Sequence, residues 1–164
     1  MTDIGFDGGS FLCKLGPSTD VITFFNCVDE YVVQTQKFVD YTLLTDRLYR
    51  RYLRIEELDD AVSMMLQVEE LFTKISSDTV NWEMIGRVNT DTRLDVSQGT
   101  LAGVFAKYFY HFNKCVESAQ VFFNSWNIYQ PVRIVIADMP EFLTDKKRPL
   151  EQYDLLEGRP FWLR

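Results

Sequence analysis

The chain has 164 residues, 46% of them hydrophobic, with 24 acidic against 17 basic side chains and a net charge of -7. That length allows one core burying roughly 70% of the unfolded surface without help from metals or disulfides, so a single domain over residues 1–164 is expected. There is no run of 18 or more apolar residues and no basic-then-apolar start. A membrane span and a secretory signal are therefore not expected, and a cytoplasmic protein is.

In chain order, residues 1 to 17 carry the turn signals "DGGS" and "GP" around a short apolar piece, Phe11 to Leu15, which reads as a strand. Behind Pro17, Ser18 or Thr19 can cap a helix on which Val21, Phe25, Val28, Val32 and Val39 recur at helical spacing. The β-branched content of "DVITFFNCVDEYVV" leaves a strand open over residues 18 to 39. Thr45 reads as the cap of a short helix through "DRLYRRYL". Leu58, Ala61, Val62, Met65, Val68, Phe72 and Ile75 then trace an amphipathic helix that ends near "SSD".

Residues 76 to 97 are polar and turn-rich, with a short helix expected at Val80 to Ile85. Ser97 reads as the cap of the longest element, a helix of about 29 residues whose apolar face runs from Leu101 through Tyr108, Phe112 and Val116 to Phe123 and Trp126. Gly99 and Gly103 in its first turns weaken it and permit close approach of another backbone. Val132 and Ile134 to Ala137, between prolines, form a buried strand, and the tail is expected to be extended and docked by Trp162. These elements add up to an α+β fold, mainly helical, with amphipathic helices packed against a small sheet of short strands near both termini.

Little in the sequence carries catalytic chemistry. The single histidine, His111, sits on the flank of the long helix and reads as a half-buried structural residue. Neither "DGGS" nor "GTLAG" continues into a phosphate-binding loop, and Asp138 reads as a turn residue before Pro140. Cys13, Cys27 and Cys115, odd in number and widely spaced, read as reduced packing residues. No metal or cofactor is expected. The basic run "DKKRP" is too short for a nucleic-acid groove on so acidic a chain.

The acids are unevenly placed. Residues 1–82 carry 14 acidic and 7 basic side chains, whereas residues 83–164 carry 10 of each, so the whole excess lies in the first half. Such an asymmetry repels nucleic acid and anionic membrane and steers a basic partner to one side. Most of these acids form adjacent pairs beside helices, and Glu56, Asp60, Ser63, Gln67 and Glu70 run opposite the apolar stripe, which makes a solvated face and not a catalytic pair. In "DRLYRRYLRIEELDDA" four arginines precede four acids, the order expected where one helix ends and the next begins, so a break is predicted between Leu53 and Ile55.

The succession "LTDRLYRRYLRIEELDDAVSMMLQVEELFTKI", a long aromatic helix, "PVRIVIADMPEFL" and "YDLLEGRPFWLR" resembles bacterial immunity proteins of contact-dependent growth inhibition systems, over residues 43 to 164. The resemblance implies a non-enzymatic cytosolic inhibitor whose partner is a cognate toxin domain delivered by a neighbouring cell, often a nuclease acting on transfer RNA. A basic RNA-cleaving groove and an acidic partner are complementary, which agrees with the charge pattern. Asp29, Glu30, Glu56, Glu57, Asp59, Asp60 and Glu70, where the negative excess concentrates, are expected as rim acids, with Tyr or Trp anchors at the centre. The alternatives are an acidic adaptor or chaperone-like module for a basic protein, and a small hydrolase using paired carboxylates.

Overall fold

The computed structural model describes residues 3–86, 91–138 and 160–163. The chain opens with a β-hairpin, β1 (Asp3–Gly8) and β2 (Phe11–Pro17), followed by helix α1 (Ser18–Val28), which widens into a π-helical turn at Asp29–Val33. A second π-helical segment, Leu43–Leu48, leads to the two-residue strand β3 (Tyr52–Leu53), a 3-10 turn at Ile55–Glu57 and helix α2 (Leu58–Phe72). Two short helices, α3 (Trp82–Ile85) and α4 (Leu101–Val104), precede the long α5 (Ala106–Trp126), strand β4 (Val132–Ile136) and a final 3-10 turn at Phe161–Leu163. The fold is thus α+β and mainly helical. Its antiparallel sheet has the order β2-β1-β4-β3.

The helices form where apolar residues recur on one face. Leu58, Ala61, Met65, Val68 and Phe72 of α2 are buried, as are Tyr108, Phe109, Phe112, Cys115, Val116 and Ala119 of α5. Phe24 of α1 sits at the centre, with ring centroids of Phe105, Tyr108 and Phe109 at 5.2, 4.8 and 5.7 Å and that of Phe72 at 6.1 Å. The sheet closes this core with Ile4, Phe6 and Ile134, where Phe6 pairs with Ile134 in register. The neighbouring pair of the ladder is Asp7 opposite Arg133, a buried ion pair at 3.1 Å.

Several local expectations are corrected. The segment left open over residues 18 to 39 is helical as far as Val33, and Val39 lies outside it, exposed. Thr45 does not cap its helix: it lies inside, its hydroxyl donating to the Tyr41 carbonyl at 3.2 Å, and Thr42 holds the cap position. The 29-residue helix is two helices, broken at Phe105 (φ -105, ψ 20), and its first cap is Thr100, whose Oγ1 accepts from the Gly103 N–H at 3.2 Å. Ser97 instead donates to Asp95 at 2.5 Å. A Cβ on Gly99 would face open space, although its carbonyl accepts from the Ser77 N–H at 3.0 Å, whereas a Cβ on Gly103 would stand 3.2 Å from Gln98.

Two strands were not anticipated. β1 hides among turn residues because "DIGFDG" alternates weakly, and β3 is too short for any period. The break between Leu53 and Ile55 is present, with β3 on one side and the 3-10 turn on the other. The hairpin tip rests on α5: Gly9 takes φ +57 with Ser118 directly against it, and the Ser10 N–H donates to Ser118 Oγ at 2.9 Å. At the other end, Trp162 is buried as expected, its Nε1 donating to the Tyr49 carbonyl at 2.7 Å, but from a 3-10 turn and not an extended strand. The basic run Asp145 to Pro149 and most of the tail lie outside the described residues. Among the described residues, no helix is long and apolar enough to cross a membrane.

Candidate functional site: an acidic groove

Helices α2 and α5 pack antiparallel. Phe72 at the end of α2 meets Phe105 and Phe109, ring centroids 6.1 and 5.9 Å apart, while Asp59 in the first turn of α2 accepts from Gln120 Nε2 at 2.8 Å, near the end of α5. Along this seam the surface opens into two adjoining hollows of about 450 and 550 Å³ that share Asp59 and Gln120. Val62 and Val116 lie among the lining residues of the first, Ile55 and Phe123 among those of the second. Three carboxylates, Glu56, Asp59 and Glu117, line the groove, and among the described residues no Lys or Arg does. Lys114 reaches Glu117 from outside at 4.0 Å, an exposed i,i+3 pair that offsets little of this charge.

The groove continues into an apolar rim. Leu66 is 52% exposed at one end and the lining residue Phe123 38% at the other, while Trp126, one helical turn beyond Phe123 on α5, is 69% exposed. Asn127 takes the left-handed conformation that ends α5, and its N–H caps the Phe123 carbonyl at 3.0 Å while that of Ile128 caps Phe122 at 3.1 Å. The loop then turns back to α2: Tyr129 Oη accepts from the Ile55 N–H at 3.2 Å and lies 3.5 Å from Glu56. Burial above all pushes the Tyr129 phenol up, so it remains a neutral donor toward the Glu56 carboxylate. No basic residue occupies the last turn of α5, so the negative end of its macrodipole adds to the field there.

The seven acids expected on the rim separate. Glu56 and Asp59 line the groove. Asp60 and Glu70 are exposed on the outer stripe of α2 but line neither hollow. Asp29 and Glu30 are exposed on the π turn, where Glu30 lines a different hollow of about 300 Å³ with Tyr31 and α3. Glu57 has structural work: its side chain accepts from the Arg54 N–H at 2.9 Å and pairs with Arg47 at 3.5 Å, both partners half-buried. Arg47 and Arg54 in turn lie over the ring of buried Tyr52, at 5.4 and 5.6 Å. The sign change in the sequence therefore resolves into a Tyr52-centred packing cluster and, one turn later, two groove acids.

Glu117, Phe123, Trp126 and Tyr129 were missed as site residues, Phe123 and Trp126 having been assigned to the core. The available signal was length. At 1.5 Å per residue α5 spans about 31 Å and α2 only about 22 Å, so α2 cannot cover the whole apolar face of its neighbour.

A second polar cluster ties the far end of the sheet together. Asp20, buried in α1, accepts from Thr92 Oγ1 at 2.7 Å and the Arg93 N–H at 2.8 Å, and Arg93 Nη1 reaches Asp3 at 2.7 Å. Asp138 accepts from the Asp3 N–H at 2.6 Å and pairs with Lys14 at 2.5 Å, and these contacts, Lys14 foremost, hold its carboxyl below the usual range. It closes the end of the β1–β4 ladder. His111 is half-buried, and burial, then Lys107, lowers its pKa. Cys115, four residues on, is turned toward Cys13, with the sulfurs 4.0 Å apart. Among the described residues no group of three or more His, Cys, Asp and Glu side chains is placed to hold a metal ion.

Comparison of the chain with protein families, with curated proteins and with solved structures finds no match in any of the three. Fold and groove define an α+β protein with an acidic groove beside exposed aromatic side chains.

Proposed function

We propose that this chain is a non-enzymatic immunity protein that binds and neutralises a cognate toxin domain in the cytoplasm, the toxin being a basic nuclease directed at RNA. One observation carries the reading: the α2–α5 groove gathers Glu56, Asp59 and Glu117 with no Lys or Arg among its described lining residues, beside exposed Phe123 and, one turn further along α5, exposed Trp126. Carboxylates at a rim speed encounter with a cationic partner, and large aromatic side chains left in water supply the affinity once it arrives. The resemblance of residues 43 to 164 to contact-dependent growth inhibition immunity proteins points the same way.

The test is co-expression with any basic C-terminal domain of a large secreted protein that is found encoded beside this chain. Protection predicts normal growth, intact transfer RNA and a stoichiometric complex in gel filtration. Toxicity that persists despite soluble expression of both proteins rejects the reading.

A further inference from the structure

The groove has a shape that narrows its occupant, and this inference rests on the reading of the chain as a binder of a basic protein. Its walls are two helices whose main-chain groups are bonded within the helices, so it offers no sheet edge with which an extended segment could pair. An occupant that satisfies its own backbone is needed. From Ile55 to Leu66 the wall is twelve residues long, about 16 Å, or three helical turns. The lining alternates chemistry along that length: carboxylates at Glu56, Asp59 and Glu117, apolar surface at Val62, Leu66 and Phe123. A second copy of this chain is a poor occupant, since its net charge of -7 would bring acid against acid.

We propose that the groove receives a cationic amphipathic helix of the partner protein, with an apolar ridge against Val62, Leu66 and Phe123, Lys or Arg side chains on Glu56, Asp59 and Glu117, and Trp126 closing over its end. The partner helix completes a three-helix layer with α2 and α5. Trp126 is the anchor because it is 69% exposed and follows the lining residue Phe123 by one turn, where α5 runs on past Gln120, the partner of Asp59.

The probe is a fluorescein-labelled 18-residue helix of Leu and Lys with Leu at helical spacing, compared with a Leu/Glu helix and a Lys/Ser peptide of equal charge. Anisotropy titrations of the full chain should give saturable binding of the Leu/Lys peptide, none of the Leu/Glu peptide and at least about tenfold weaker binding of the Lys/Ser peptide. Trp126→Ala, which removes an exposed side chain and leaves the core intact, and the triple variant E56Q/D59N/E117Q should each weaken the Leu/Lys peptide by about tenfold or more. The charge-matched triple E69Q/D78N/E83Q should change it less than about twofold.

Equal loss in both triple variants, no effect of Trp126→Ala, or no binding of the Leu/Lys peptide overturns the proposal, as does a dimer in sedimentation that Trp126→Ala dissociates. The two readings fail separately. Neutralisation of a basic toxin that survives both groove variants removes the helix-in-groove inference and leaves immunity standing, whereas a groove that passes every peptide test beside a toxin that is never bound removes immunity alone.

Discussion

Replacing Glu57 by alanine separates structural acids from surface acids. Its carboxylate accepts the Arg54 N–H at 2.9 Å, in the turn that starts α2, and the Glu57 N–H donates back to the Arg54 carbonyl at 2.9 Å. A hydrogen bond to a charged group contributes about 1.5–3 kcal/mol. The Arg47 pair at 3.5 Å, with both side chains about one-fifth exposed, adds at most about 1 kcal/mol because water still screens it. A net loss of about 2 kcal/mol is expected, or a fall in Tm of about 4–8 °C for a domain of this size. Glu57→Gln keeps an acceptor and should lose about half as much. Glu70→Lys, exposed near the end of α2, should stay within about 0.5 kcal/mol of the parent. Urea unfolding followed by circular dichroism measures all three. Glu57→Ala unfolding at the parent's midpoint, or Glu70→Lys costing more than Glu57→Ala, would refute the assignment of Glu57 to the fold.

Other perturbations probe the core, the hairpin and the thiols. Phe24→Ala removes a ring buried among five other aromatic side chains and should cost about 3–5 kcal/mol in the same assay; a loss below about 1 kcal/mol would mean the aromatic centre is not packed as described. Gly9→Ala combines a left-handed backbone with overlap onto Ser118 and should destabilise by about 1–3 kcal/mol, a cost that Gly99→Ala, facing open space, should not share. With an aromatic disulfide reagent, half-buried Cys13 should react first, while Cys27 and Cys115 should wait for unfolding. Burial pushes the Cys27 thiol from its ordinary 9.0 up to about 12, so the stabilisation from keeping it neutral is complete below about pH 9 and is lost as the pH rises through about 12. An unfolding free energy that does not decline with alkaline pH, or Cys27 labelling as fast as Cys13, would contradict that burial.

The fold was legible where burial on one face imposes a period. Val21, Phe25 and Val28, then Leu58 to Phe72, then Tyr108 to Ala119 repeat every three or four residues because each helix lays one stripe on a shared core. It was illegible where tertiary contacts override local chemistry. β1 pairs on both sides, with β2 and β4, and so tolerates two glycines and two aspartates that would discourage a free strand; buried Asp7 is matched by Arg133 across the ladder, a partner 126 residues away. The break at Phe105 was hidden for the opposite reason. Apolar residues continue through it in helical order, and only the Phe105 backbone, φ -105 and ψ 20, reveals that the helix restarts.

For the candidate site, charge was easy to read and position was not. An acidic segment is visible in any linear count, but whether a carboxylate serves the fold or a partner depends on what lies across from it: Glu57 faces Arg54 and Arg47, whereas Glu56, one residue earlier, faces Tyr129 and open groove. A one-residue step on this 3-10 turn moves a side chain by about 120°, enough to exchange the interior for water. The aromatic rim was misassigned for a related reason. An apolar stripe reports only that a face wants cover; which neighbour supplies it is set by the relative lengths of the packed helices. Since α2 ends its cover near Asp59 and Gln120, the stripe beyond keeps Phe123 and Trp126 exposed, and that surplus of uncovered apolar surface beside acids is the physical basis for the binding site proposed there.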